Sequence, residues 1–217
     1  MTTVRPSAEV AGASPADLDV LGHVIAAAFH DLAPSRWLIA DPAARSAIFP
    51  GYFRLLVAHA MAAGRVHTTP ARDAVALWLP AGPGAPGPLA GYRQRLAEAT
   101  APWTGRFAVF DQTLETHQPV GVAYWHLAIL AVHPGRQGQG IGTALLTARH
   151  RDLDHDGAPA CLEASSPRAR DLYQRHGYTV WPGGAFRLPG GPPFWPMWRE
   201  PRARIASKED RREGGRM

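Results

Sequence analysis

The run Arg136-Gln137-Gly138-Gln139-Gly140-Ile141-Gly142 restricts this chain more than any other part of it. Before it stands Tyr124–Val132, a long, apolar, β-prone stretch, and after it Ile141, Ala144, Leu145 and Ala148 recur at helical spacing. A strand that turns through glycines into a helix aims several free backbone N–H groups at one point, and the helix dipole adds partial positive charge there. Such a bend suits a phosphate or pyrophosphate. Glycines at 138, 140 and 142 let the backbone close around it without Cβ clashes.

Two common phosphate loops do not match. No Gly-Lys-Ser/Thr follows, so the loop of the P-loop nucleotidases is absent. Gly138, Gly140 and Gly142 lie one residue out of the dinucleotide register, with Thr143 at the third position. Glu163 does stand about 20 residues on, where a ribose-binding acid would be, but alternating βαβ units are missing around it. Glycines alone would serve equally well in a plain strand-to-helix turn.

Further motifs follow in order. Gln137-x-x-Gly140-x-Gly142, the preceding Leu130-Ala131-Val132-His133-Pro134, the short strand Ala160–Ala164 and the segment Ser165–Tyr178 with Tyr173 and Gly177 together resemble the GNAT acetyltransferase superfamily. The best-matched stretch is Tyr124 to Val180; Leu162–Arg168 and Ala26–Phe29 look closest to the puromycin N-acetyltransferase branch, extending the likeness thinly from Val4 to Arg199. The resemblance implies an α/β (α+β) fold, one domain with a mixed central sheet flanked by helices, whose two central strands part to admit a thioester. It also implies acetyl-coenzyme A as cofactor and an amine as acceptor.

Length and composition agree with that reading. A chain of 217 residues with 46% hydrophobic content and seven tryptophans builds one sizeable core. The expected division is a domain over 1–200 and a charged, disordered tail over 201–217. No apolar stretch reaches the roughly 18 residues a bilayer needs. Met1–Arg5 lacks the regions of a signal peptide, so a cytoplasmic location is the default expectation, and Arg-rich, Ala-rich usage suggests a bacterial gene. Cys161 is the only cysteine, which rules out an intrachain disulfide and a multi-cysteine zinc site; it reads as a buried strand residue. The histidines show no metal-ligand spacing, so no metal is expected. Of the net charge of +5, the segment after Pro201 carries +3, too little elsewhere for a nucleic-acid face. Lys208 is the sole lysine, which excludes a lysine base within the fold.

Along the chain, Ser14-Pro15-Ala16-Asp17 predicts a helix start with Leu18, Leu21, Ile25 and Ala28 or Phe29 as its apolar stripe. Asp41-Pro42 predicts a second start, broken or kinked at Pro50. Val66–Thr69 and Ala74–Leu79 read as a strand pair, the Pro/Gly run 80–88 as an exposed connection, and 89–99 and 105–116 as helices. Two strand candidates close the chain around 183–198.

Transfer of an acetyl group to an amine assigns roles to particular residues. Main-chain N–H groups of Gln137, Gly138, Gln139, Gly140, Ile141, Gly142 and Thr143 hold the pyrophosphate, with Arg136 adding charge at the rim. The resemblance places a backbone donor to the thioester carbonyl within Leu130, Ala131 and Val132, and the family's tyrosine acid at Tyr173, whose phenol is protonated at neutral pH. Glu163, matching a Glu of the puromycin branch, holds the substrate's cation or relays its proton. His126, on the face of Ala128 and Leu130 in a period-2 strand, is a second candidate base. Ala169 replaces the family's usual Asn, so a hydrogen bond to the pantetheine arm is missing or comes from Ser165, Ser166 or Arg168. Trp37, Tyr52, Phe53 and Trp125 are the candidate acceptor walls, alongside Trp103 and Trp195. The expected acceptor is a small-molecule amine, an antibiotic or nucleoside-like one by the puromycin likeness; a peptide amino group and a non-catalytic coenzyme A sensor are the alternatives. No nucleic-acid or membrane partner is expected, and a homodimer is compatible with the reading.

Overall fold

The structure, a computed structural model, describes residues 8–202. Beyond Arg202 the expected charged tail lies outside the described residues. The described chain forms one domain of seven α-helices and eight strands: β1 (Ala11–Gly12), α1 (Leu18–Phe29), α2 (Ala33–Leu38), α3 (Pro42–Ala63), β2 (Arg65–Thr68), β3 (Ala74–Ala81), α4 (Tyr92–Thr100), α5 (Thr104–Thr116), β4 (Tyr124–Val132), α6 (Ile141–Asp156), β5 (Ala160–Ala164), α7 (Pro167–Arg175), β6 (Thr179–Val180), β7 (Phe186–Arg187) and β8 (Pro193–Arg199). The sheet runs β1-β2-β3-β4-β5-β8-β6, with β7 hairpinned onto β8. All neighbours are antiparallel except β4 and β5.

The helix starts follow the capping chemistry. The Ser14 backbone N–H donates to Asp17 Oδ2 at 2.8 Å, starting a single 3-10 turn that leads into α1. Asp41 Oδ2 accepts from the Ala44 N–H at 2.8 Å and opens α3, with Pro42 in the first turn. The expected break at Pro50 does not occur, and α3 continues through it to Ala63. Proline there removes one main-chain bond, while Phe49, Tyr52, Phe53 and Val57 are all buried around it. Packing outweighs the lost bond. Gly22 of α1 permits the close approach: a Cβ there would sit 3.0 Å from the Pro50 carbonyl oxygen.

Two cores sandwich the sheet. On one face, α1 and α3 bury Leu21, Ile25, Phe49 and Phe53 against Val75, Leu77, Ile129 and Ala131. On the other, α6 buries Leu145, Leu146 and Leu153 against Trp78, Leu127 and Leu162, with Tyr173 of α7 packed at the edge. Arg199, 2% exposed, is held by both oxygens of Asp154 at 2.7 and 2.8 Å and ties β8 to α6. No helix among the described residues is long and apolar enough to cross a membrane.

At the α3–β2 junction a Cβ on Gly64 would lie 2.0 Å from the Trp78 carbonyl oxygen. Gly64→Ala should therefore lower the urea midpoint by at least about 2 kcal/mol of stability, at constant slope. A midpoint equal to that of the unaltered protein would contradict this junction.

Candidate active site

β4 and β5 pair at only two positions, Trp125 with Ala160 and His126 with Cys161. Beyond them the strands part, as the family resemblance implies. β4 instead keeps its ladder with β3 to the end, through a bulge: Leu77 pairs with Ile129 and Trp78 with Leu127, leaving Ala128 as the extra, exposed residue. The bulge resets the alternation. His126 consequently shares its face with Ile129 and Ala131, not with Ala128 and Leu130 as strict period-2 spacing predicts.

The ladder also sorts the main-chain donors. His133 donates its N–H to the Asp73 carbonyl at 2.8 Å, so alternation turns Ala131 toward β3 and leaves Leu130 and Val132 facing the gap. Of the three residues expected to offer a donor there, two have N–H groups aimed at the opening. Gln137 Nε2 donates to the Val132 carbonyl at 3.1 Å and pins the following loop to the strand end.

The loop itself is exposed from Arg136 to Gly140. Gly138 and Gly140 have φ of 75° and 81°, which only glycine adopts without strain, and Gly140 caps α6. The first N–H groups of α6, at Ile141, Gly142 and Thr143, have no partner within the helix. Arg136 is braced by Asp73, Nε to Oδ2 at 2.9 Å, which fixes the guanidinium beside the loop. On α7, Ser166 accepts from the Ala169 N–H at 3.1 Å and so serves as the cap. Ser165 and the exposed Arg168 make no side-chain bond among the described residues.

Glu163 and His126 meet at the gap. His126 Nε2 lies 2.7 Å from Glu163 Oε2, with both side chains nearly sealed from solvent. Burial opposes charging of this imidazole, yet the Glu163 carboxylate outweighs it by charge and hydrogen bond, and the pKa is raised. By linkage, that coupling stabilises the fold below the ordinary histidine pKa and is lost as pH rises through the raised value. Glu163 Oε1 is buried without a hydrogen-bond partner. Tyr173 approaches from the other face, its ring 5.9 Å from Tyr178 and edge-on. Burial, reinforced by Glu163, pushes its phenol well above the usual tyrosine range, so it is a proton donor at neutral pH. Its hydroxyl has no hydrogen-bond partner among the described residues and is not sealed. Cys161 is buried and its thiol pKa is raised by burial, so it is inert, as read from the sequence.

Of the candidate acceptor walls, Trp37, Tyr52, Phe53 and Trp103 gather in one cluster, while Trp125 and Trp195 lie on the other face of the sheet. Trp125 packs on the α6 face beneath Arg149, 4.1 Å from guanidinium to ring. Tyr52 and Phe53 belong to the α3 core. Trp37 donates Nε1 to the Pro189 carbonyl at 3.0 Å and, with Trp103, Arg106, Val109 and Pro102, lines a surface concavity of about 520 Å³. The Tyr92–Asp111 hydrogen bond of 2.7 Å escaped the sequence reading. Its one signal was an acid at position 111, a turn after Phe107, on the apolar stripe of α5.

Comparisons with known proteins fit this geometry. Residues 104–180 match the family model described as an acetyltransferase (GNAT) domain. A Corynebacterium glutamicum protein described as histone acetyltransferase HPA2 and related acetyltransferase is 26% identical, with TM-score 0.67 over 92% of this chain and 99% of its own. The fold is shared, at 16% identity and TM-score 0.60, by an agmatine N-acetyltransferase, over 89% of this chain and 99% of that one. An arylalkylamine N-acetyltransferase from Aedes aegypti shares it at 12% identity and TM-score 0.56, over 89% and 99%. The sheet is of GNAT type, and these findings support a GNAT acetyltransferase, hence an acyltransferase, without reaching the puromycin branch.

An NMR titration should place the His126 midpoint above 6.5. Glu163→Gln should move it below that value, because burial then acts alone. A midpoint at or below 6.5 in the unaltered protein would sink the coupling.

Proposed function

We propose that the protein is an acetyl-coenzyme A-dependent N-acetyltransferase that passes the acetyl group directly to a primary amine of a small molecule. The observation that carries this is the gap between β4 and β5, where Leu130 and Val132 N–H groups, Tyr173 and Glu163 Oε1 all lack protein partners. The residues fit the cofactor. At Gly138 and Gly140 a Cβ would meet nothing within 4 Å, so the loop is open toward a ligand there, while at Gly142 it would only touch Leu130 Cδ2 and Val132 Cγ2 at 3.8 Å. Gly138 to Thr143 would hold the pyrophosphate, Arg136 its charge, and Ser165 or Arg168 the pantetheine arm. Acetyl-coenzyme A, when bound, supplies the activated acetyl group as a thioester.

The chain's own residues divide the work. Leu130 and Val132 N–H groups offer hydrogen bonds to a carbonyl oxygen placed in the gap. Glu163 Oε1 accepts a proton from the acceptor's ammonium, while His126 fixes the other oxygen. Tyr173 gives its proton to the departing sulfur. One C–N bond forms and one C–S bond breaks; of the two protons the nitrogen loses, one goes to Glu163 and the other replaces the proton that Tyr173 gives up. Because His126 is held toward its charged form, it positions Glu163 and is a poorer base itself.

For the acceptor, the concavity beside Trp37 and Trp103 suits a bulky aromatic group, which agrees with the puromycin-like Leu162–Arg168 segment. The description of the Corynebacterium relative as a histone acetyltransferase supports a second reading, transfer to a protein amino group. Thiol release measured against a panel of amines and peptides separates the two. Hydrolysis-level release with every amine, alongside tight cofactor binding, would instead indicate a sensor.

Tyr173→Phe should lower kcat by at least about 100-fold with calorimetric cofactor affinity unchanged. Undiminished turnover would remove Tyr173 as the acid. Gly138→Ala, which strains a backbone held at φ 75° in the loop, should weaken cofactor binding about tenfold or more by calorimetry.

A further inference from the structure

On α5, Asp111 sits one turn after Phe107, where the helix faces α3 and α4. Its Oδ2 accepts the Tyr92 hydroxyl at 2.7 Å. Oδ1 takes no hydrogen bond from the described residues and is not sealed. Nor does any basic side chain among them pair with this carboxylate, and the nearest charge acting on it is Glu115, of like sign. Tyr52 stands beside this pair. Its ring packs 4.6 Å from Phe107 and 5.0 Å from Phe53, while its hydroxyl has no described partner and is not sealed. Asp111 and Tyr92 both act electrostatically on that phenol.

A carboxylate among aromatic rings with no counter-charge is unfavourable for the free protein. Burial, with Glu115 adding to it, pushes the Asp111 carboxyl up to about 6, although the Tyr92 hydrogen bond opposes the shift. A raised carboxyl pKa means that ionisation costs stability, and the cost grows as pH rises through the interval from 3.8 to about 6. Tying α4 to α5 through Tyr92 requires an acceptor oxygen and no charge at all. A cation would supply what is missing: a counter-charge for Oδ1, donors for the Tyr52 and Tyr92 oxygens, and contact with ring faces.

The group also stands on the face that carries His126 and Glu163: Tyr52 and Phe107, with Tyr92 packed on them, share one cluster with Ile129 and Ala131 of β4. We propose that Asp111, with the hydroxyls of Tyr52 and Tyr92, recognises a second cationic group of the acceptor, distinct from the amine that is acetylated. This rests on the acetyltransferase reading and narrows its substrate class to diamines and amines bearing a distal ammonium or guanidinium.

The test compares 1,ω-diaminoalkanes of graded length with monoamines of the same length. The unaltered protein should acetylate one length of diamine with a KM at least about tenfold below that of the matched monoamine. Asp111→Asn keeps an acceptor for Tyr92 and should abolish that preference, with kcat and the monoamine KM unchanged. Equal effects on both series, or none, would overturn the proposal. Calorimetry with the diamines needs no turnover: binding to the unaltered protein no tighter than that of monoamines overturns it without any variant. If no amine is acetylated but diamines bind and Asp111→Asn loses them, the catalytic reading fails and the cation site stands.

Discussion

Two strands at the centre of this sheet pair for two residues and then separate, and the rest of the site depends on that separation. A strand interior normally spends every N–H and C=O on its neighbours, because an unpaired buried group costs as much as a lost hydrogen bond. Here β4 satisfies one side against β3 and leaves Leu130 and Val132 unpaired on the other. The bulge at Ala128 lets β4 keep its β3 ladder while bending away from β5. The opening joins both faces of the sheet. Tyr173 reaches it from the α6–α7 layer and Glu163 from the α1–α3 layer, and the glycine loop stands at the strand end that borders it.

Charge is arranged in a complementary way. Many of the arginines act inside the structure and not as a basic face. Arg45 donates to the Ile39 and Ala40 carbonyls, Arg149 lies over Trp125, Arg199 pairs with Asp154, and Arg136 is braced by Asp73. Two carboxylates, by contrast, pair with no arginine among the described residues. Glu163 is aligned by a histidine and Asp111 by a tyrosine. Each has one bonded oxygen and one without a described partner, which leaves it able to accept a further donor.

Local chemistry predicted most of the elements. Ser14 and Asp41 with their prolines mark helix starts, and glycines at 138 and 140 mark the turn, because capping and left-handed backbone depend on the residue in place. Pro50 was misjudged for the opposite reason. Its cost is local, but the burial of Phe49, Phe53 and Val57 that overrides it comes from α1 and the sheet, which no window of sequence contains.

The sequence by itself marked the glycine bend and the order of elements around it, and singled out Tyr173, Glu163 and His126 as candidates. Those follow from residue type and short spacing. Only the tertiary structure decided that His126 grips Glu163 across 37 positions, that the bulge turns it away from Leu130, and that Trp125 lies on the opposite face from Trp37 and Tyr52. Pairings between distant segments are fixed by register and packing, and a one-residue shift in a strand exchanges its two faces. Spacing along the chain carries no record of that shift.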